Sequence, residues 1–135
     1  MKILNFGSIN KDYVYSVNEF VSPGETIKTN DFKEFLGGKG LNQSVAVSRS
    51  GSKIYHAGCI SKNDKILKKK LNEWGVDTSY IYEVDEPTGH AIIQVNTYGE
   101  NSILIHGGAN LKVTSKQIDQ TISKFGEDDI LIIQN

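Results

Sequence analysis

The sequence predicts an α/β fold: a mostly parallel β-sheet clad in helices, with a few short strands lying outside it. Three observations carry this expectation. The runs at 3–6 (Ile-Leu-Asn-Phe) and 130–133 (Ile-Leu-Ile-Ile) are apolar enough for strands covered on both faces, as in a parallel sheet. Helical patterns at 41–50, 64–74 and 114–125 alternate with strand-like segments. Between the first strand and the first helix, residues 13–36 hold short β-like pieces and no crossover helix.

The first strand ends at the small residues Gly7 and Ser8, and Asn10 and Asp12 follow at once. Ligands of open α/β sheets bind beyond the carboxyl ends of the strands, so these two side chains are placed to grip hydroxyls. They equally suit an Asx-type turn, which Asn and Asp favour. Tyr13-Val14-Tyr15, Thr26-Ile27-Lys28-Thr29 and 32–36 read as small strands, with Ser22-Pro23-Gly24 turning between the first two.

The stretch Gly37-Gly38-Lys39-Gly40-Leu41-Asn42-Gln43-Ser44 then runs straight into the first helix, which Gly51 closes. Glycines let backbone N–H groups approach a ligand without a Cβ in the way. A helix beginning there aims unpaired N–H groups and its positive dipole end at the same spot. Lys39 adds a cation with three donors and Asn42 a two-way amide. Such a stretch can cradle a polyhydroxylated or anionic ligand, or serve only as a glycine-rich start to a helix. Two phosphate motifs are excluded. A P-loop requires Ser or Thr after the lysine, where Gly40 stands, and a dinucleotide fingerprint requires Gly where Gln43 stands.

Further along, 53–59 reads as a strand. In the helix at 64–74, Ile66, Leu67, Leu71 and Trp74 recur at helical spacing before Gly75. Lys62, Lys65, Lys68, Lys69 and Lys70 nearby make a solvated face or an anion-binding patch, and the balanced charge favours the former. A strand spans 76–84. The strands at 90–95 and 102–106 are joined as a hairpin through Tyr98-Gly99-Glu100-Asn101. A loop at 107–110 leads to Thr114-Ser115-Lys116-Gln117, which has capping-box form and opens the third helix, with Gly126 beyond it. An apolar edge strand at 130–133 is a pairing liability. Either another strand shields it or the chain is part of a larger fold.

Composition narrows the function. With 135 residues the chain makes one ordinary domain. A net charge of −1 argues against a nucleic-acid binder. No apolar run suggests a signal peptide or a membrane span, so the expected location is the cytoplasm. Cys59 alone forms no intrachain disulfide and reads as a small buried hydrophobe. His56, His90 and His106 are isolated along the chain, and neither His-x-x-x-His nor Cys-x-x-Cys occurs, so no metal site is expected. No nucleophile–base pair emerges, and the expected catalytic set within this chain is empty. What remains is a binding inventory for a hydroxylated small molecule: Asn10, Asp12, Gly38, Lys39 and Asn42.

Those residues sit in an ordered set that resembles the N-terminal part of the ribokinase-like, PfkB-type sugar kinases. The set comprises Gly7-Ser8-Ile9-Asn10-Lys11-Asp12, Pro23-Gly24-Glu25-Thr26, the stretch from Gly37 through Ser44-Val45-Ala46, Arg49-Ser50-Gly51, Gly75-Val76-Asp77, Thr88-Gly89, Gly99-Glu100-Asn101 and Ile105-His106-Gly107-Gly108-Ala109-Asn110. The resemblance implies a three-layer α/β fold plus a small β-sheet lid, with lid strands at about 13–36 and 88–106. It implies that Asn10, Asp12, Gly37, Gly38, Lys39 and Asn42 bind the sugar, with Ala91 and Ile105 as apolar lid contacts. Ribose or a related furanose is the implied substrate, ATP with Mg2+ and a monovalent cation the implied cofactors, and pairing of lids between two subunits an implied assembly.

The chain also departs from the family. Members are roughly twice its length. The Gly-Ala-Gly-Asp stretch that carries the catalytic Asp, the anion hole and the ATP site does not occur in it. Ser61 stands where the family expects Gly, and the segment 62–70 is shorter. The expectation is therefore the sugar-binding and lid portion of such a kinase, truncated at the C-terminal side and without catalysis of its own. The alternatives are a non-catalytic sugar-binding or regulatory protein, one half of a split kinase with a separate C-terminal half, or a decayed fragment.

Overall fold

Parallel strands need long crossovers between them, and helices supply these here. A computed structural model describes residues 1–134. Its elements run β1 (Ile3–Phe6), β2 (Asn10–Ser16), β3 (Asp31–Gly37), α1 (Lys39–Arg49), β4 (Ile54–Ser61), α2 (Ile66–Glu73), β5 (Val76–Val84), β6 (Gly89–Val95), β7 (Asn101–His106), a 3-10 turn (Gly108–Lys112), α3 (Ser115–Ile122) and β8 (Ile130–Ile133).

The main sheet has the order β5-β4-β1-β8 and is parallel throughout. Alternation along β4 assigns the layers. His56 reaches Ser44 of α1, whereas the ring of Tyr55 packs edge-on to Phe125 and Cys59 lies 3.8 Å from Gln117 of α3. So α1 covers one face of the sheet and α3 the other. The core on the first side joins Leu41 and Val45 of α1, Leu67 and Leu71 of α2, and Ile54, Ile60, Val76 and Ile81 of the strands. Burying an aliphatic side chain of this kind stabilises the fold by roughly 1.5–3 kcal/mol each.

The second sheet has the order β3-β2-β6-β7. β2 runs antiparallel to β3 and parallel to β6, and β6 and β7 form an antiparallel hairpin. Local chemistry fixes the helix ends. Thr114 and Gln117 exchange hydrogen bonds in a complete capping box. Gly51 and Gly75 take positive φ just beyond α1 and α2.

Three expectations change. Residues 26–29 are not a strand. β2 already pairs on both its edges, with β3 and β6, so no edge beside it is open to them. Asn10 and Asp12 are not in an Asx-type turn but on β2 itself. The apolar run Ile130–Ile133 is a sheet edge rather than a doubly covered strand: Leu131 is 45% and Ile133 70% exposed. Among the described residues no strand flanks its outer side, and no helix is long and apolar enough to cross a membrane.

Candidate functional site

The candidate site lies where the second sheet meets the start of α1. Gly38 caps that helix with φ 97°, a conformation that side chains strongly disfavour. A Cβ at Gly38 would stand 2.6 Å from the Ser8 carbonyl oxygen, and one at Gly40 2.5 Å from the Gly7 backbone. The glycines therefore let the first turn of α1 seat backbone-on-backbone against the end of β1. The Leu41 N–H donates to the Ser8 carbonyl at 3.0 Å and fixes the seat. No side chain caps the helix, so its N-terminal dipole faces the site without an internal anion.

A buried polar chain supports this seat from below. The Asn5 amide donates to the Gly40 carbonyl (2.8 Å) and to Ser44 Oγ (3.0 Å). Ser44 Oγ lies 2.7 Å from His56 Nδ1, and His56 Nε2 lies 3.1 Å from the Gly7 carbonyl. The directions agree when Ser44 donates to Nδ1 and Nε2–H donates to Gly7, which is the neutral imidazole. Burial pushes His56 down to about 4, against the opposing pull of the Gly7 carbonyl. This histidine is a strut, as isolated histidines in apolar strands commonly are. It is nevertheless a member of a network that spacing along the chain does not reveal.

Asn10 and Asp12 lie two apart on β2 and so share a face. Asn10 pairs with Gly37 on β3 and Gly89 on β6. Its Oδ1 accepts from Asn110 Nδ2 at 2.8 Å, and Asn110 also brackets the backbone of Ile9. The Asn10 amide nitrogen has no hydrogen-bond partner among the described residues and is left with its donors unused. Asp12 is half-buried, and burial raises its carboxyl above the usual range. Among the described residues the side chains of Asp12, Lys39 and Asn42 have no hydrogen-bond or ion-pair partner. Lys39 and Asn42, on the first turn of α1, are exposed. The set holds one anionic acceptor, one cationic donor and two amides, all with unused capacity. Those are the groups that a polyol, which both donates and accepts, can satisfy.

Ala91 and Ile105 pair with each other, and Ala91 pairs with Asp12. Phe35, Asp12, Ala91 and Ile105 thus form one row across all four strands of the second sheet and point to one face. Ala91 is buried and Ile105 is 71% exposed. The root of this sheet is pinned to the main sheet. Lys11 Nζ contacts Asp64 at 3.1 Å, Thr88 Oγ1 donates to Asp64 at 2.7 Å, and the Ser61 N–H donates to Thr88 at 2.9 Å. The lysines of 62–70 take the solvated reading: Lys62 pairs with Asp85, and Lys65 and Lys68 with Glu83.

Sequence reasoning missed Asn110 and Gly89 as parts of the site. Asn110 lies 100 residues from Asn10 in the chain. The only signal was its place at the end of the 105–110 motif. A Cβ at Gly89 would strike both Asn110 Nδ2 and Asn10 Oδ1. Beside the polar set, an apolar cavity of about 410 Å³ opens on the α3 side of the main sheet, lined among others by Phe6, Leu111, Ile118, Ile122, Leu131 and Ile133. It borders the polar set through Ser8 and Asn110 and contains none of its charged groups. Among the described residues no group of three or more His, Cys, Asp or Glu could hold a metal ion.

The model of the pfkB family carbohydrate kinases matches residues 1–135. The ribokinase of Haemophilus influenzae is 39% identical over 131 residues, covering 95% of this chain and 43% of that protein. The crystal structure of ribokinase from Cryptococcus neoformans var. grubii serotype A in complex with ADP superposes with a TM-score of 0.84 at 36% identity, covering 99% of this chain and 41% of that one. The structure of Arabidopsis thaliana ribokinase complexed with ribose and ATP gives 0.73 at 32% identity, covering 81% of this chain and 36% of that one. The chain spans about two fifths of the length of the curated relatives it matches.

Proposed function

The chain belongs to the pfkB family of carbohydrate kinases, and from that premise we propose that it is the sugar-binding and lid portion of an ATP-dependent kinase for ribose or a related furanose. The observation that carries this reading is Asp12. It is a half-buried carboxylate with no partner among the described residues, beside a helix start opened by glycines. Leaving a carboxylate unpaired away from water costs free energy, and a sugar hydroxyl donating to it recovers that cost.

In this reading Asp12 accepts from one hydroxyl. The Asn10 amide nitrogen, fixed by Asn110, donates to a second oxygen, and Lys39 and Asn42 hold the far side of the ring. Gly37 and Gly38 let the backbone come close. The second sheet acts as the lid, with Ala91 and Ile105 as its apolar contacts. ATP with its metal supplies the phosphoryl group in such kinases. The Gly-Ala-Gly-Asp stretch associated with that step does not occur in this sequence, so on this reading the chain's share of the work is to bind and orient the sugar and exclude water. Taken alone, it transfers no phosphoryl group.

The exposed apolar face formed by α3 and β8 supports a second part of the assembly. The cavity there and the open edge of β8 suit the remaining three fifths of the relatives' length, in the same polypeptide or in a separate one. Calorimetric titration with ribose, with fructose and adenosine as comparators, tests the reading. Ribose binding that disappears in Asp12→Ala supports a formed half-site. A folded chain that binds none of the three sinks the view that this portion binds sugar by itself.

A further inference from the structure

We propose that His90 and His106 form a two-imidazole site for a late first-row transition-metal ion, Zn2+ or Ni2+, on the face of the second sheet opposite Asp12. The two residues are direct partners in the β6–β7 register. Their ring centroids lie 5.0 Å apart, with the rings tilted by 40°. Two imidazoles bound to one tetrahedral zinc at about 2.0–2.1 Å per nitrogen place their ring centres about 5 Å apart, so the observed spacing leaves the two rings within reach of one shared ion.

The surroundings fit a ligand pair. His90 Nδ1 lies 3.1 Å from the Thr88 carbonyl oxygen. Donating to that carbonyl puts the proton on Nδ1 and leaves the Nε2 lone pair free. Metal-binding imidazoles use the same arrangement, their second nitrogen being held by a backbone carbonyl or carboxylate. Neither ring nitrogen of His106 has a hydrogen-bond partner among the described residues, and the residue is exposed. Next in the same cross-strand row stands Lys11, whose ammonium is engaged by Asp64 at 3.1 Å. The ring of Tyr13 lies 6.0 Å from that of His90, with the two planes inclined by 66°. No third His, Cys, Asp or Glu joins the pair among the described residues, so water completes the coordination and the ion exchanges readily.

A bound ion would tie β6 to β7 one residue away from the Ala91–Ile105 pair, which points to the other face. On the sugar-binding reading this stiffens the lid where it touches the ligand. Metal binding itself does not rest on that reading, and no sugar enters its test.

The test is calorimetric titration of the untagged chain with zinc chloride, paired with NMR of the histidine ring nitrogens. One zinc per chain is expected, with at least tenfold weaker binding in His90→Gln and in His106→Gln, and little further loss in the double variant. In the parent chain zinc should shift the ring signals of His90 and His106 and leave those of His56 in place, which keeps the test informative whatever the variants do to folding. Zinc binding that survives unchanged in both variants, shifts confined to other residues, or no binding up to millimolar zinc would each overturn the proposal.

Discussion

Gly37 makes the room in which Asp12 keeps its carboxylate: a Cβ at position 37 would stand 2.6 Å from Asp12 Cγ, far inside van der Waals contact. Gly37 is not among the glycines with positive φ, so the need is steric and not conformational. The Gly37→Ala variant should lose about 0.5–1.5 kcal/mol of stability, because only the end of the Asp12 side chain must turn aside, and bind ribose at least tenfold more weakly. In an Asp12→Ala background the same change should cost little, because the crowded partner is gone. Chemical denaturation of the four proteins of this cycle measures the coupling. A Gly37→Ala penalty that persists without the Asp12 side chain would falsify the steric account.

Asp12 should trade stability for binding. Its raised carboxyl means that the folded state holds a proton more tightly than the unfolded chain. Ionisation therefore opposes folding, and this loss sets in as pH rises through the ordinary carboxylate range. Asp12→Asn removes the charge, and should stabilise the chain near neutral pH by no more than about 1 kcal/mol because the group is only partly shielded from water. The same variant should lose sugar affinity. Melting temperatures at pH 4 and pH 7 check the sign, since the gain over the parent should shrink at the lower value.

His56 predicts an acid-labile strut. Its folded value of about 4 lies below the ordinary histidine range, so between about pH 6.5 and 4 the unfolded chain binds the proton that the folded chain refuses. The stabilisation is present above about pH 6.5 and falls by about 1.4 kcal/mol per pH unit on acidification, to a total of roughly 3 kcal/mol. Urea unfolding across that window should show this slope in the parent and a flatter profile in His56→Gln. Identical slopes in the two proteins would remove His56 as the cause.

The junction of the two sheets should respond to Thr88. Thr88→Val leaves the Ser61 N–H without its acceptor and strips a donor from Asp64, at a cost of about 1–3 kcal/mol. Burial opposes ionisation of Asp64, but Thr88 and Lys11 together hold its carboxyl below the usual range. That contribution is present above about pH 4 and is lost as pH falls further. Hydrogen exchange should show faster opening of β2 and β6 in the variant. A pH-dependence between 5 and 3 equal to that of the parent would count against the role given to Asp64.

Some of this was legible along the chain because it is local chemistry. The capping box at Thr114 and Gln117, the C-terminal glycines Gly51 and Gly75, and the hairpin through Gly99 are each set by residues a few positions apart, and each forms as expected. Among the site residues, Gly37 to Asn42 are likewise contiguous. They gather because one helix start holds them, so the order of residues alone could place them together.

The rest depends on registers between distant strands, which no local pattern encodes. The apolar run Ile130–Ile133 carries the signature of a buried strand, yet packing decides its exposure, and one side of it lies open. His90 and His106 look isolated at a separation of sixteen positions until the β6–β7 register sets them side by side. Asn110 meets Asn10 only because the 3-10 turn folds back beside β2 and β6. Sequence by itself determined the α/β class, the helix ends and the glycine-opened start of α1, since these follow from hydrophobic period and backbone sterics. Only the tertiary structure decided which polar groups are neighbours, because long-range pairing is selected by burial of the whole sheet and not by any one segment.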